Sequence, residues 1–196
     1  PLNAVLLGEV KSKEADINWT KAVATPDGWT FVIPNTTQTT SYGYLYNDEI
    51  TSTEEATANF EKIFSLEKQG VHQAEISKLK FSNYLAMDWT RRTFHWIINN
   101  ATTPDIISQE IINYTHQLEN YVNWHYTYGS KYDTPFWKAA KNLKIEDPIF
   151  DDFLTYAKKL SMIDLLDNNS IFLNETYGQW KLWNFKYWID GMTKQS

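Results

Sequence analysis

The sequence shifts from mostly strand-like to mostly helical organisation near residue 100, and that shift constrains the fold more than any other feature. Before it, short runs rich in β-branched and aromatic residues are separated by turn signals. Residues 4–10 form a short apolar run that ends in a charged stretch. Pro26-Asp27-Gly28 is a turn signal, because Pro fixes its own φ and Gly accepts positive φ. Residues 29–33 then read as a strand stopping at Pro34, residues 36–40 as a loop and residues 42–46 as a second strand. Ser52 with Glu55 three residues later predicts a capped helix start, with Ala56, Phe60, Ile63 and Phe64 on one face and Gly70 as the stop. Residues 75–85 read as another strand.

After residue 100 the spacing is helical. Thr103-Pro104 opens a helix whose stripe runs through Ile107, Ile111, Tyr114, Leu118, Tyr121 and Val122. His125 extends that stripe and is expected as a core or boundary residue. Thr134-Pro135 predicts a further helix start, capped by Thr134, with Phe136 and Trp137 packed inward. Asp147-Pro148 opens another, with Phe150, Phe153, Leu154 and Leu160 inward. The last element, residues 171–189, holds seven aromatics, and Trp180, Trp183 and Tyr187 fall at i, i+3, i+7. The pattern predicts an α+β fold, strand-rich over residues 1–100 and mostly helical over residues 101–196.

Composition narrows the function classes. Aromatic residues make up 16 % of the chain, including nine Trp, which suits either a bulky core or a pocket for a flat ligand. The apolar fraction of 42 % argues against disorder. A net charge of −6, with no Lys/Arg run interleaved with aromatics, argues against nucleic acid as a partner. The lack of Cys excludes disulfides, thiolate metal sites and Cys nucleophiles. No apolar stretch approaches the roughly 20 residues of a membrane span, so no membrane partner is expected. The residues after Leu7 turn polar at once, so no signal peptide is expected, and the expectation is a soluble, cytoplasmic protein.

A catalytic constellation is not legible from spacing. There is no glycine-rich dinucleotide fingerprint, no P-loop, no His-Glu-x-x-His and no nucleophile elbow. His72, His95, His116 and His125 lack metal-ligand spacing, so no metal site is expected. The adjacent carboxylates Glu54-Glu55 and Asp151-Asp152 read as solvated helix starts.

Two segments nevertheless carry a resemblance. Gly28-Trp29-Thr30-Phe31-Val32-Ile33-Pro34, followed by Tyr42-Gly43-Tyr44-Leu45-Tyr46, resembles the Trp-x-Trp-x-Ile-Pro signature of flavin-dependent tryptophan halogenases and the Gly-Tyr-Val-Tyr-like strand after it. His125-Tyr126 and then Asp133-Thr134-Pro135-Phe136-Trp137 resemble an acidic residue plus Thr-Pro-Phe-Trp that recurs in the family after a His-Tyr. Weaker echoes are Pro1-Leu2-Asn3, the run from Ser52 to Ala56, and Asp190-Gly191-Met192. The resemblance covers most of this chain and the later half of a family member.

The resemblance implies a part of an FAD-dependent halogenase fold that acts on an electron-rich aromatic small molecule with reduced FAD, oxygen and a halide (chloride, bromide or iodide), fed by a flavin reductase. Alternation along β-structure puts Trp29, Phe31 and Ile33 on one face, and the family's passage between flavin and substrate runs along this wall, which ends at Pro34. The aromatics near the chain end, Tyr177, Trp180 and Trp183, occupy the region that clamps the substrate ring. The family's glycine-rich motif, its Lys and its Phe-Leu-Glu-Pro-Leu-Glu-like segment have no counterpart; residues 90–96 run straight through where the last should fall. Catalytic residues are therefore unassigned, no cofactor site is expected in the chain itself, and the chain alone is expected to be inactive. A related flavin monooxygenase, a non-catalytic aromatic-ligand or interaction module, and a structural fragment of a homo-oligomer are the rival readings.

Overall fold

The structure, a computed structural model, describes residues 1–11, 19–35, 39–66, 76–80, 95, 99, 103–161 and 176–193. It is α+β, with an antiparallel sheet in the first half and helices through most of the rest. The chain forms two compact units: Pro1–Tyr84 with Gly129–Asn142, and Leu85–Tyr128 with Leu143–Ser196.

The first unit is built on β1 (Ala4–Lys11), β2 (Lys21–Thr25), β3 (Gly28–Pro34), β4 (Thr39–Tyr46) and β5 (Ser77–Lys80), in the order β2-β3-β4-β1-β5. Every pairing is antiparallel, with Phe31 opposite Gly43 and Gly43 opposite Leu7. Alternation along the strands sends Ala4, Leu6, Val10, Val32, Tyr42, Tyr44 and Tyr46 to one face, where α1 (Thr53–Phe64) covers them with Ala56 and Phe60. Phe60 lies 5.3 Å from the Tyr44 ring and Phe64 lies 5.2 Å from Tyr42. Each such ring removed from water contributes roughly 1.5–3 kcal/mol, so this layer supplies much of the unit's cohesion.

Four sequence expectations are corrected here. The strand β2 was not foreseen, because its Lys-Ala-Val-Ala-Thr run is short and leaves Ala22 and Val23 exposed at the sheet edge. Helix α1 starts where expected, with Ser52 Oγ accepting from the Glu55 amide at 3.2 Å. It ends at Ser65, which takes the left-handed conformation (φ 49°) and whose amide bonds back to Glu61 and Lys62, so the stop precedes Gly70, which lies outside the described residues. Ile63 is exposed, and Thr57 takes its place on the buried face. Of the strand expected over residues 75–85, Ser77–Lys80 is described as β5 and residues 81–85 lie outside the described residues.

The second unit holds α2 (Pro104–Thr127), α4 (Pro148–Lys159), a two-stranded hairpin of β6 (Thr176–Tyr177) and β7 (Trp180–Lys181), and α5 (Leu182–Thr193). Helix α3 (Pro135–Lys141) belongs to the first unit and buries Phe136, Trp137 and Ala140. Helix α2 buries Ile111, Tyr114, Leu118 and Tyr121 as its stripe predicts, plus Trp124. The core gathers Tyr121, Trp124, Phe150, Phe153, Ala157, Tyr177, Leu182, Phe185 and Ile189. The fourth correction concerns the final aromatics: residues 176–189 are not one element. A turn at Gly178 (φ 60°) folds a hairpin first, and the helix then buries Leu182, Phe185 and Ile189 while Trp183 and Tyr187 stand 41 % and 52 % exposed. Among the described residues no helix is long and apolar enough to cross a membrane.

Candidate functional site

On β3 the inward residues Thr30 and Val32 are buried, whereas Trp29 and Phe31 are half-buried and Ile33 is 37 % exposed. Trp29, Phe31 and Ile33 therefore share the face opposite α1, and Pro34 closes the strand. Trp29 and Phe31 meet edge to face with ring centroids 6.4 Å apart. The Phe31 ring lies over the backbone of Gly43 on β4, where an added Cβ would come within 2.0 Å of it. Only a residue without a side chain leaves that room, and the ring can lie flat on the sheet. The result is an apolar, aromatic face that is distinct from the core of its unit.

In the second unit the hairpin carries Tyr177 and Trp180 to α2. Trp180 stacks on Tyr121, with centroids 3.8 Å apart and planes 17° from parallel. His125, one turn on from Tyr121, lies 4.1 Å from the Trp188 ring. Its Nδ1–H donates to the Tyr121 carbonyl at 2.6 Å, which fixes the ring. Tyr177 is fully buried, and its hydroxyl donates to Asp147 at 2.6 Å while accepting from Asn120 at 2.8 Å. The structure thus brings Tyr177 and Trp180 to the aromatic core of the unit and turns Trp183 outward, edge-on to Tyr187 at 5.7 Å. The Tyr121 ring that stacks on Trp180, the His125 ring beside Tyr121 and the Trp188 ring beside His125 were not among the expected site residues. Helical spacing marked Tyr121 and His125 as inward-facing, but nothing local pairs them with residues some sixty positions away.

The electrostatics are those of a neutral, desolvated cluster. Burial pushes the Tyr121 hydroxyl up to about 12, so it stays protonated. Burial holds His125 below the usual histidine value, opposed by its bond to the Tyr121 carbonyl, which leaves it a neutral ring. Burial works to raise Asp147, yet hydrogen bonds from Tyr177, the Phe150 and Ile149 amides and Asn120 prevail and hold its carboxyl below the usual range. Asp147 is thereby an ionised helix cap. Among the described residues no group of three His, Asp or Glu could hold a metal ion. A dinucleotide cradle needs parallel strands joined through a glycine-rich turn into a helix. The described sheet is antiparallel throughout, and no positive-φ glycine among Gly28, Gly129 and Gly178 opens a helix after a parallel strand. The described residues do not fit a bound flavin.

These units define an α+β protein with an antiparallel sheet exposing one aromatic face and a helical unit around an aromatic cluster. Residues 2–96 match the tryptophan halogenase family. A tryptophan 6-halogenase of Streptomyces albogriseolus is 24 % identical over 88 % of this chain and 37 % of its own length. The solved tryptophan halogenase of Shewanella frigidimarina superposes with a TM-score of 0.65 at 18 % identity, covering 98 % of this chain and 42 % of its own. A flavin-dependent halogenase of a Brevundimonas species gives a TM-score of 0.63 at 12 % identity, covering 98 % and 43 %. Over these spans the chain is similar to tryptophan halogenases, and it spans well under half the length of those it matches.

Proposed function

We propose that this chain is the substrate-side part of a flavin-dependent halogenase that acts on an electron-rich aromatic small molecule. The observation that carries the reading is the half-buried Trp180 stacked on the buried Tyr121 beside the neutral His125, an apolar and aromatic cluster of the kind that receives a flat ring. The family match over residues 2–96 supports the class of reaction. In this reading Trp180, Tyr177 and Trp183 belong to the substrate region, and Trp29, Phe31, Ile33 and Pro34 line a passage wall. Reduced FAD is held by parts of the protein beyond these residues, a flavin reductase supplies the electrons, and halide is the second substrate. A cytoplasmic location completes the reading.

Stacking on a half-buried indole contributes about 0.5–1.5 kcal/mol beyond area burial, which corresponds to a several-fold change in affinity. In the full-length protein Trp180→Ala is expected to raise KM for the aromatic substrate several-fold, or to change the ring position modified, while circular dichroism and melting stay close to those of the parent. A variant that merely unfolds, or one whose KM and product are unaltered, contradicts the role given to Trp180.

A further inference from the structure

The two motifs that carry the family likeness, one beginning at the turn before Trp29 and the other at Asp133, are far apart in sequence and joined in the first unit. Trp137 Nε1 donates to the Thr25 carbonyl at 2.7 Å, across 112 residues. The Thr134 hydroxyl donates to the Pro26 carbonyl. From the other side the buried Asp27 carboxylate accepts from the Tyr44 hydroxyl at 2.5 Å, from Asn59 at 2.9 Å and from Thr51 at 3.3 Å. Thr25, Pro26 and Asp27 are each held by a residue outside the hairpin.

The anchors act on a short turn. Thr25 pairs with Gly28, so only Pro26 and Asp27 close the β2–β3 hairpin. Two-residue hairpins favour turns with positive φ, whose twist matches that of the strands; the ordinary turns splay the strands apart. Pro locks its φ near −65° and Asp27 is not in the positive-φ region, so the positive φ falls on Gly28 (φ 155°), the first residue of β3. The residue after that glycine is Trp29, so the placement of the Thr25 and Pro26 carbonyls bears directly on where that ring stands. Thr134 is also the N-cap residue of α3, yet its side chain makes no cap hydrogen bond; the hydroxyl is directed to Pro26 instead.

We propose that Thr134 and Trp137 are positioning residues for the aromatic face of β3: by fixing the carbonyls of Pro26 and Thr25 they set where Trp29 stands. The functional half of this proposal rests on the reading of that face as a passage wall. Thr134→Val removes the hydroxyl at nearly constant shape and disturbs no cap bond, and Thr134→Ser keeps the hydroxyl. The full-length protein is labelled with fluorotryptophan, and the Trp29 resonance is assigned by its loss in Trp29→Phe. That resonance is expected to move in Thr134→Val and to hold in Thr134→Ser. In the halide-dependent reaction kcat is expected to fall at least about fivefold in Thr134→Val, with KM for the aromatic substrate unchanged, since ångström misplacement of a positioning group costs that much or more. An unmoved Trp29 resonance overturns the proposal, and so does a moved resonance with kcat unchanged. If the parent protein forms no halide-dependent product, the functional reading itself fails, and the resonance alone decides whether Thr134 positions Trp29.

Discussion

A methyl group on Gly43 would fall 2.0 Å from the tip of the Phe31 ring, so the ring has to shift. Gly43→Ala must therefore lift Phe31 away from β4. Overpacking of this kind costs about 1–3 kcal/mol, read as a lowered urea midpoint at constant slope. In a Phe31→Ala background the same substitution is expected to cost little, because the atoms it would strike are gone. Equal costs in both backgrounds would show that the ring does not occupy the notch. The same scale explains Asp147, whose carboxylate caps α4 through the Ile149 and Phe150 amides and also receives Tyr177. The cap was legible from Asp147-Pro148 in the sequence. The bond from a tyrosine 30 residues on was not, because nothing local in the sequence specifies it.

At the scale of elements, the residues that start helices were easier to read than those that stop them. Ser52 and Asp147 cap their helices through side-chain oxygens, and Thr134 precedes its helix by virtue of the proline after it. The end of α1 was misplaced because Gly70 drew attention while Ser65 adopted the left-handed conformation that glycine takes at lower cost. Ser65→Gly is accordingly expected to stabilise the first unit by about 0.5–1 kcal/mol, checked by a raised melting temperature; a lowered one would mean that Ser65 makes a compensating bond. The strands β3 and β4 were legible because their aromatic and β-branched residues alternate, and β2 was not, since Ala-rich edge strands carry little of that signal. The hairpin Thr176–Lys181 hid within a run of aromatics whose spacing mimics a helix. Only the positive φ of Gly178, held by a hydrogen bond from its amide to Gln117 at 2.8 Å, distinguishes the two.

For the whole molecule, the sequence pattern predicted the class, strands first and helices after, because the period of its apolar residues changes with the kind of surface each half must bury. The composition of the two cores follows: tyrosines and phenylalanines between sheet and α1 in one unit, and tryptophans and phenylalanines around Trp124 in the other. The return of residues 129–142 to the first unit was not legible, since it depends on bonds from Thr134 and Trp137 to a turn more than a hundred residues earlier. The candidate site was legible as two sets of aromatic positions, and its role rests on the proposed function. Which of those rings face outward was decided by packing: Trp180 went onto Tyr121, and Trp183 went outward.

The central claim, that this chain serves halogen transfer to an aromatic ring, is tested most directly by the mass of the product. The full-length protein is supplied with reduced FAD, oxygen and an indole or phenol, first in chloride and then in bromide. The account predicts a product whose mass rises by the substitution of hydrogen with the halogen supplied and that disappears when halide is withheld. An oxygenated product that forms equally well without halide, or no halide-dependent product with any aromatic offered, would contradict it.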